Sequence, residues 1–297
     1  MDYANKDALV STEWLAAHLS APDVRIVDGS WYLPTARRDA KAEYAERHIP
    51  GAVFFDIDEI ADTANPLPHM LPSPEKFAAR VRKLGLGDGN RIVVYDGAGL
   101  YSAARVWWTF RVFGHDDVAV LDGGLPKWLD EGRPVESTQP LPRERHFTAR
   151  LNHALVRDLA QVRANIATRR EQLLDARSAG RFAGRDPEPR AGLRGGHIPG
   201  SLSLPYDLLI DPRTRAMKSA SELARLFRQA GLDMRKPVVT SCGSGITAAI
   251  LSLGLHLLGH RDVSLYDGSW TEWGGRADTP IEMGEPAAAN ANPAPRS

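Results

Sequence analysis

The one cysteine of this 297-residue chain, Cys242, opens the run Cys242-Gly243-Ser244-Gly245-Ile246-Thr247. Residues 237–241 before it read as a buried strand, and residues 248–258 after it read as a strongly apolar helix. A strand that turns at once into a helix gathers backbone N–H groups in the turn, with the positive end of the helix dipole beside them. Two glycines remove the Cβ atoms that would block that curl. Such a loop stabilises an anion, and sulfur acts as a nucleophile in its thiolate form. A free cysteine is more commonly a small core residue. Cys242 stands at the strand end, ahead of Gly-Ser-Gly, and that position favours a nucleophile.

The elements that position this loop occur twice. Shifted against itself by about 145–149 residues, the chain matches in four places in the same order. Ile26-Val27-Asp28 pairs with Leu173-Leu174-Asp175, and His48-Ile49-Pro50-Gly51-Ala52 with His197-Ile198-Pro199-Gly200-Ser201. Ile92-Val93-Val94-Tyr95-Asp96-Gly97 pairs with the stretch ending in Cys242-Gly243, so that Asp96 stands opposite Cys242. Leu121-Asp122-Gly123-Gly124 and Trp128 pair with Tyr266-Asp267-Gly268-Ser269 and Trp273. Two copies of one fold are expected: residues 1–136, which lack a cysteine, and residues 156–283, which hold Cys242. A polar, proline-rich linker at 137–155 joins them, and a tail at 284–297 is expected to be loose.

Within each copy short apolar runs alternate with helical patterns. Residues 25–27, 91–95 and 118–121 read as buried strands, and residues 75–84 and 221–230 as amphipathic helices. The fold class is therefore α/β: two parallel sheets, each with helices on both faces. Ligands gather at the carboxyl ends of such strands, which is where Cys242 lies. His48 and His197 each precede Ile-Pro-Gly in both copies, so a shared structural turn explains them better than catalysis. Trp107, Trp108, Trp128, Trp270 and Trp273 read as core or interface packing.

The remaining composition excludes more than it assigns. Lys and Arg balance Asp and Glu at 37 each, so no global field draws the chain to nucleic acid or an anionic membrane. No apolar run reaches the ~18 residues of a membrane span, and the N-terminus does not read as a signal peptide. One cysteine supplies neither an internal disulfide nor a Cys-rich zinc site. The expected setting is a reducing cytoplasm, with no metal, no organic cofactor, and neither nucleic acid nor membrane as a partner.

The chain resembles the tandem-domain rhodanese-like sulfurtransferases from about Leu9 to Met283, and its active loop is most similar to that of the 3-mercaptopyruvate branch. The branch pattern is Cys-Gly-Ser-Gly-Val-Thr, from which Ile246 departs mildly. Thiosulfate-using members typically carry Arg-Lys after the cysteine, where this chain has the neutral Gly243-Ser244. The resemblance implies that Cys242 carries sulfur as a persulfide, held by the loop of Gly243, Gly245, Ile246 and Thr247. It implies that Arg181 and Arg190 hold the donor's carboxylate and carbonyl, which suits the planar arginine fork. It implies a proton relay of Ser244, His69 and Asp58, the last two supplied by the cysteine-free half. The expected reaction moves sulfane sulfur from 3-mercaptopyruvate to thioredoxin, a small thiol or cyanide and releases pyruvate, with thiosulfate:cyanide sulfur transfer as the alternative. A cysteine phosphatase needs Cys-x5-Arg, and the sixth residue after Cys242 is Ala248. A non-catalytic binding module would be expected to lack the cysteine in both halves.

Overall fold

The computed structural model describes residues 2–285. From residue 286 onward the tail expected at 284–297 lies outside the described residues. The first sheet contains β1 (Leu9–Val10), β2 (Val24–Asp28), β3 (Val53–Phe54), β4 (Arg91–Tyr95) and β5 (Val118–Leu121). The second contains β6 (Val156–Arg157), β7 (Gln172–Asp175), β8 (Leu202–Ser203), β9 (Val238–Ser241) and β10 (Val263–Tyr266). Their spatial orders, β1-β5-β4-β2-β3 and β6-β10-β9-β7-β8, coincide once the second is renumbered, and every pairing is parallel. The sequence repeat is thus a repeat of topology, with β4 and β9 as the equivalent central strands.

Both faces of each sheet are covered. On β4, Ile92 and Val94 join one apolar cluster while Val93 and Tyr95 join another, the two-residue alternation of a strand with helices on either side. The helix expected at 75–84 spans Pro74–Lys83, starts on a Ser73 side chain that accepts from Lys76 N, and buries Phe77 and Val81. Its counterpart, Ala220–Gln229, starts on a capping box between Ser219 and Glu222.

One cluster runs through both units. It joins Val106, Trp107 and Phe110 of the helix Ala103–Val112 to Ile250, Leu251 and Leu253 of the helix Ala248–Leu257. These are the helices that follow the Asp96 and Cys242 loops, so packing them together sets the two loops on a shared interface. The N-terminal segment crosses it as well: Ala4 N donates to Leu257 O, and Tyr3 Oη to Lys218 O. The proline-rich stretch after Glu136 is strapped to the first unit. Phe147 is fully buried against Phe77 and Phe110, and the amides of Arg150 and Asn152 donate to Phe113 O and Val112 O. No helix among the described residues is long and apolar enough to cross a membrane.

Candidate active site

Cys242 directly follows β9 and is 2% exposed. Neighbouring backbone ties its loop down. Cys242 O accepts from Trp270 N at 2.9 Å, and Gly243 O accepts from Thr271 N at 2.8 Å and Thr271 Oγ1 at 2.6 Å. Gly245 takes the turn at φ +79°, a left-handed conformation that favours glycine. The amides of Ser244, Gly245, Ile246, Thr247 and Ala248 donate to no protein group among the described residues. They sit at the N-terminus of the helix Ala248–Leu257.

The loop after β4 shows what such amides do when an anion is built in. Asp96 is fully buried, and its carboxylate accepts from Ala98 N, Gly99 N, Tyr101 N and Ala103 N at 2.7–2.9 Å. Four charge-assisted hydrogen bonds onto one carboxylate fill that cradle. At the Cys242 position the side chain is a thiol, and the corresponding amides remain free to serve an anion that arrives on its sulfur.

Arg181 and Arg190 converge on Gly243. A Cβ there would stand 3.0 Å from Arg181 Nη2 and 4.0 Å from Arg190 Nη1, so glycine permits the close approach of both guanidiniums. Arg181 is aimed by Glu188, which accepts from Nη2 at 2.5 Å and Nε at 3.2 Å. Glu188 also takes Arg177 Nη1 at 2.7 Å, and Arg177 is bound to Asp175. Burial pushes Arg190 below the ordinary arginine range, while nearby Cys242 and Tyr101 push it back up. The net direction is down.

Asp58 and His69 meet. His69 Nδ1 lies 2.6 Å from Asp58 Oδ1, and Trp31 Nε1 donates to Asp58 Oδ2 at 2.9 Å. Arg190 Nη2 stands 3.3 Å from His69 Nε2. Because a guanidinium only donates, the network assigns the proton to Nδ1 and leaves Nε2 as an acceptor. Burial lowers the His69 pKa, Asp58 opposes the shift, and the positive charges of Arg105 and Arg190 reinforce it; the net direction is down. Burial alone would raise Asp58, but the His69 bond and charge outweigh it and hold the carboxyl below its ordinary range. Ser244 is buried within the loop yet makes no hydrogen bond to His69. The structure therefore joins two members of the expected relay and places the third in the loop, unbonded to them.

Sequence reasoning missed two residues that hold these parts together. Arg105, 2% exposed, lies in the first-unit helix and reaches across the interface. Its Nη2 donates to His69 O at 2.5 Å and to Asp267 Oδ1 at 2.7 Å, and its Nη1 to Gly245 O at 3.4 Å. Asp267 also accepts from Leu71 N at 2.8 Å. Between these anchors His69 adopts φ +62°, a conformation costing a non-glycine residue on the order of 1 kcal/mol. An arginine in the first turn of the apolar helix Ala103–Val112, among Ala103, Ala104, Val106 and Trp107, was the available signal, since arginine is almost never fully buried unless paired.

The repeated histidines are structural, as expected. His48 and His197 stack on Tyr44 and Phe182 at 4.2 and 3.7 Å, and each Nδ1 meets a backbone carbonyl. The five tryptophans singled out in the sequence are all buried; Trp128 and Trp273 donate to the equivalent carbonyls of Pro134 and Pro280. A cavity of about 620 Å³ lies beside Met70, Leu71 and Asp267, and Cys242 is not among its lining residues.

The fold and the loop define a tandem sulfur-handling protein, and comparison with known proteins agrees. The rhodanese-like domain model matches residues 11–131 and again 158–276. The chain belongs to the rhodanese-like family and is a sulfurtransferase of tandem-domain type. It is 46% identical to human 3-mercaptopyruvate sulfurtransferase over 276 residues, which cover 91% of this chain and 93% of that protein. It is also 46% identical to bovine thiosulfate sulfurtransferase over 278 residues, again 91% and 93% of the two chains. A solved Escherichia coli 3-mercaptopyruvate sulfotransferase superposes with a TM-score of 0.82 at 39% identity, covering 89% of this chain and 98% of that one.

Proposed function

We propose that the protein transfers sulfane sulfur from 3-mercaptopyruvate through a persulfide on Cys242, releasing pyruvate. The Cys242 thiolate attacks the donor sulfur, the sulfur–carbon bond breaks, and its electron pair leaves on the keto acid as an enolate. The donor's thiol proton passes to that carbon, giving pyruvate, with His69 Nε2 and Ser244 as carriers and Asp58 fixing the histidine tautomer. Arg181 and Arg190 hold the carboxylate and carbonyl of the donor. The free amides of residues 244–248 hold the outer sulfur of the persulfide, in the way the Asp96 loop holds a carboxylate. An external thiol, thioredoxin or a small molecule, or cyanide then attacks the outer sulfur and returns the Cys242 thiolate. With one cysteine in the chain no internal disulfide can complete the cycle. The proposed setting is a reducing cytoplasm, which subcellular fractionation checks.

The observation that carries the donor assignment is the neutral Gly243-Ser244 beneath two arginines, one of them already neutralised by Glu188. One free guanidinium suits a monoanionic carboxylate better than a sulfonate-like dianion. The similarity to the bovine thiosulfate enzyme keeps thiosulfate as the second reading. Comparing kcat/KM for the two donors decides: a preference for mercaptopyruvate is expected, and a clear preference for thiosulfate overturns the assignment.

A further inference from the structure

The two units clasp each other twice, by equivalent parts. At one end Asp267, after β10, accepts from Leu71 N; at the other Asp122, after β5, accepts from Met217 N at 2.7 Å. Two residues before each donor stands a left-handed residue, His69 at φ +62° and Arg215 at φ +59°. The Asp122 clasp forms without a buried arginine, because the residue corresponding to Arg105 in the helix Ala248–Leu257 is Ile250. An interface of this kind therefore does not need the guanidinium. At the Cys242 end Arg105 is added, lying 4.5 Å from the Trp108 ring, and its further bonds go to His69 O and Gly245 O. A Cβ on Gly245 would stand 2.6 Å from its Nη1, so loop and guanidinium fit without slack.

We propose that Arg105 is a positioning residue for sulfur transfer: the cysteine-free unit uses it to lock His69 and the Cys242 cradle into one arrangement. It touches neither donor nor sulfur. It fixes the carbonyl of the left-handed histidine and the carbonyl at the crest of the loop with one rigid, planar group that Asp267 holds in turn. Its charge also bears on His69, alongside Asp58 at Nδ1, Arg190 at Nε2 and the edge of the Trp31 ring. The inference rests on Cys242 being the sulfur carrier but not on the identity of the donor.

The test measures single-turnover loading of Cys242 by intact mass, over pH, for the wild type, Arg105→Met, Arg105→Lys and Asp122→Ala, each with its melting temperature. Both Arg105 variants are expected to load about 30-fold more slowly, with the half-saturating donor concentration nearly unchanged because Arg181 and Arg190 are intact. In Arg105→Met the acid limb of the pH profile moves to higher pH, since a cation opposing His69 protonation is gone; in Arg105→Lys it stays. Asp122→Ala melts at lower temperature but loads at the wild-type rate. Arg105→Lys keeps the charge but replaces the planar fork, whose two terminal nitrogens reach separate acceptors, with a single ammonium, so it carries the test if Arg105→Met does not fold. Wild-type loading in either Arg105 variant overturns the proposal, as does equal slowing in Asp122→Ala, which would reduce Arg105 to an interface strut. The same ratios are read with thiosulfate. A change of preferred donor sinks the donor assignment and leaves the Arg105 comparison standing.

Discussion

The loops after β4 and β9 are one device put to two uses. In the first unit Asp96 folds its carboxylate into the turn and satisfies four amides with the chain's own charge. In the second unit a thiol stands at that position and the amides of residues 244–248 are bound to no protein group among the described residues. The difference separates stability from function. A filled cradle holds its loop rigidly and has nothing left to offer a ligand, whereas an open one depends on support from outside. Some of that support comes from the filled side: the helix that begins after the Asp96 loop carries Arg105, and the loop at His69 belongs to the same unit.

The comparison can be broken in graded steps. Cys242→Ser keeps the loop's shape but removes the sulfur carrier, and sulfur transfer is expected to fall by at least about a thousandfold in a steady-state assay. Asp96→Ala leaves four amides without their acceptor and should cost about 3 kcal/mol of stability in a denaturant melt; loss of activity before loss of fold would show that loop acting in catalysis instead. Arg190→Met removes the less encumbered guanidinium, and kcat/KM for mercaptopyruvate should drop about 30-fold. Asp58→Asn should cost roughly tenfold in kcat. Asp58 is the group raising the His69 pKa against burial, so its loss moves the acid limb of the rate profile to still lower pH, already below the ordinary histidine value of about 6.5. The smallest effect concerns the clasps. Burial raises the Asp122 carboxyl to about 6, so the folded state holds that proton more firmly than the unfolded chain does. Its contribution is present below the unfolded carboxyl value of about 4 and is lost as pH rises through about 6. Asp122→Asn should flatten the melting temperature over that window by a few degrees relative to wild type.

Much of this organisation was legible in the sequence, because it rests on local signals. Apolar runs such as Ile92–Tyr95 and the Ser73-Pro74 helix start fix their elements within a residue or two. The repeat at about 145–149 residues made the two units and the Asp96–Cys242 opposition visible without coordinates. The two-residue strands β1, β3, β6 and β8 are too short for periodicity to register. Residues 137–155 read as a polar linker because Phe147 is one aromatic among prolines and charges, and its burial depends on Phe77 and Phe110 far away in the chain. Arg105 was hidden for the converse reason. Its helix reads as apolar core, and the partners that make its burial tolerable, Asp267 and Gly245, lie about 140–160 residues further on. The family resemblance likewise named Ser244, His69 and Asp58 together, but only the folded structure separates the bonded pair from the serine.

The most direct measurement of the central claim is the intact mass of the protein after brief exposure to 3-mercaptopyruvate, with and without a reductant. A gain of one sulfur atom per chain that the reductant removes, absent in Cys242→Ser and present in Ser244→Ala, is the expected result. A chain that turns over donor without any reducible sulfur adduct, or one whose adduct persists in Cys242→Ser, would contradict the account.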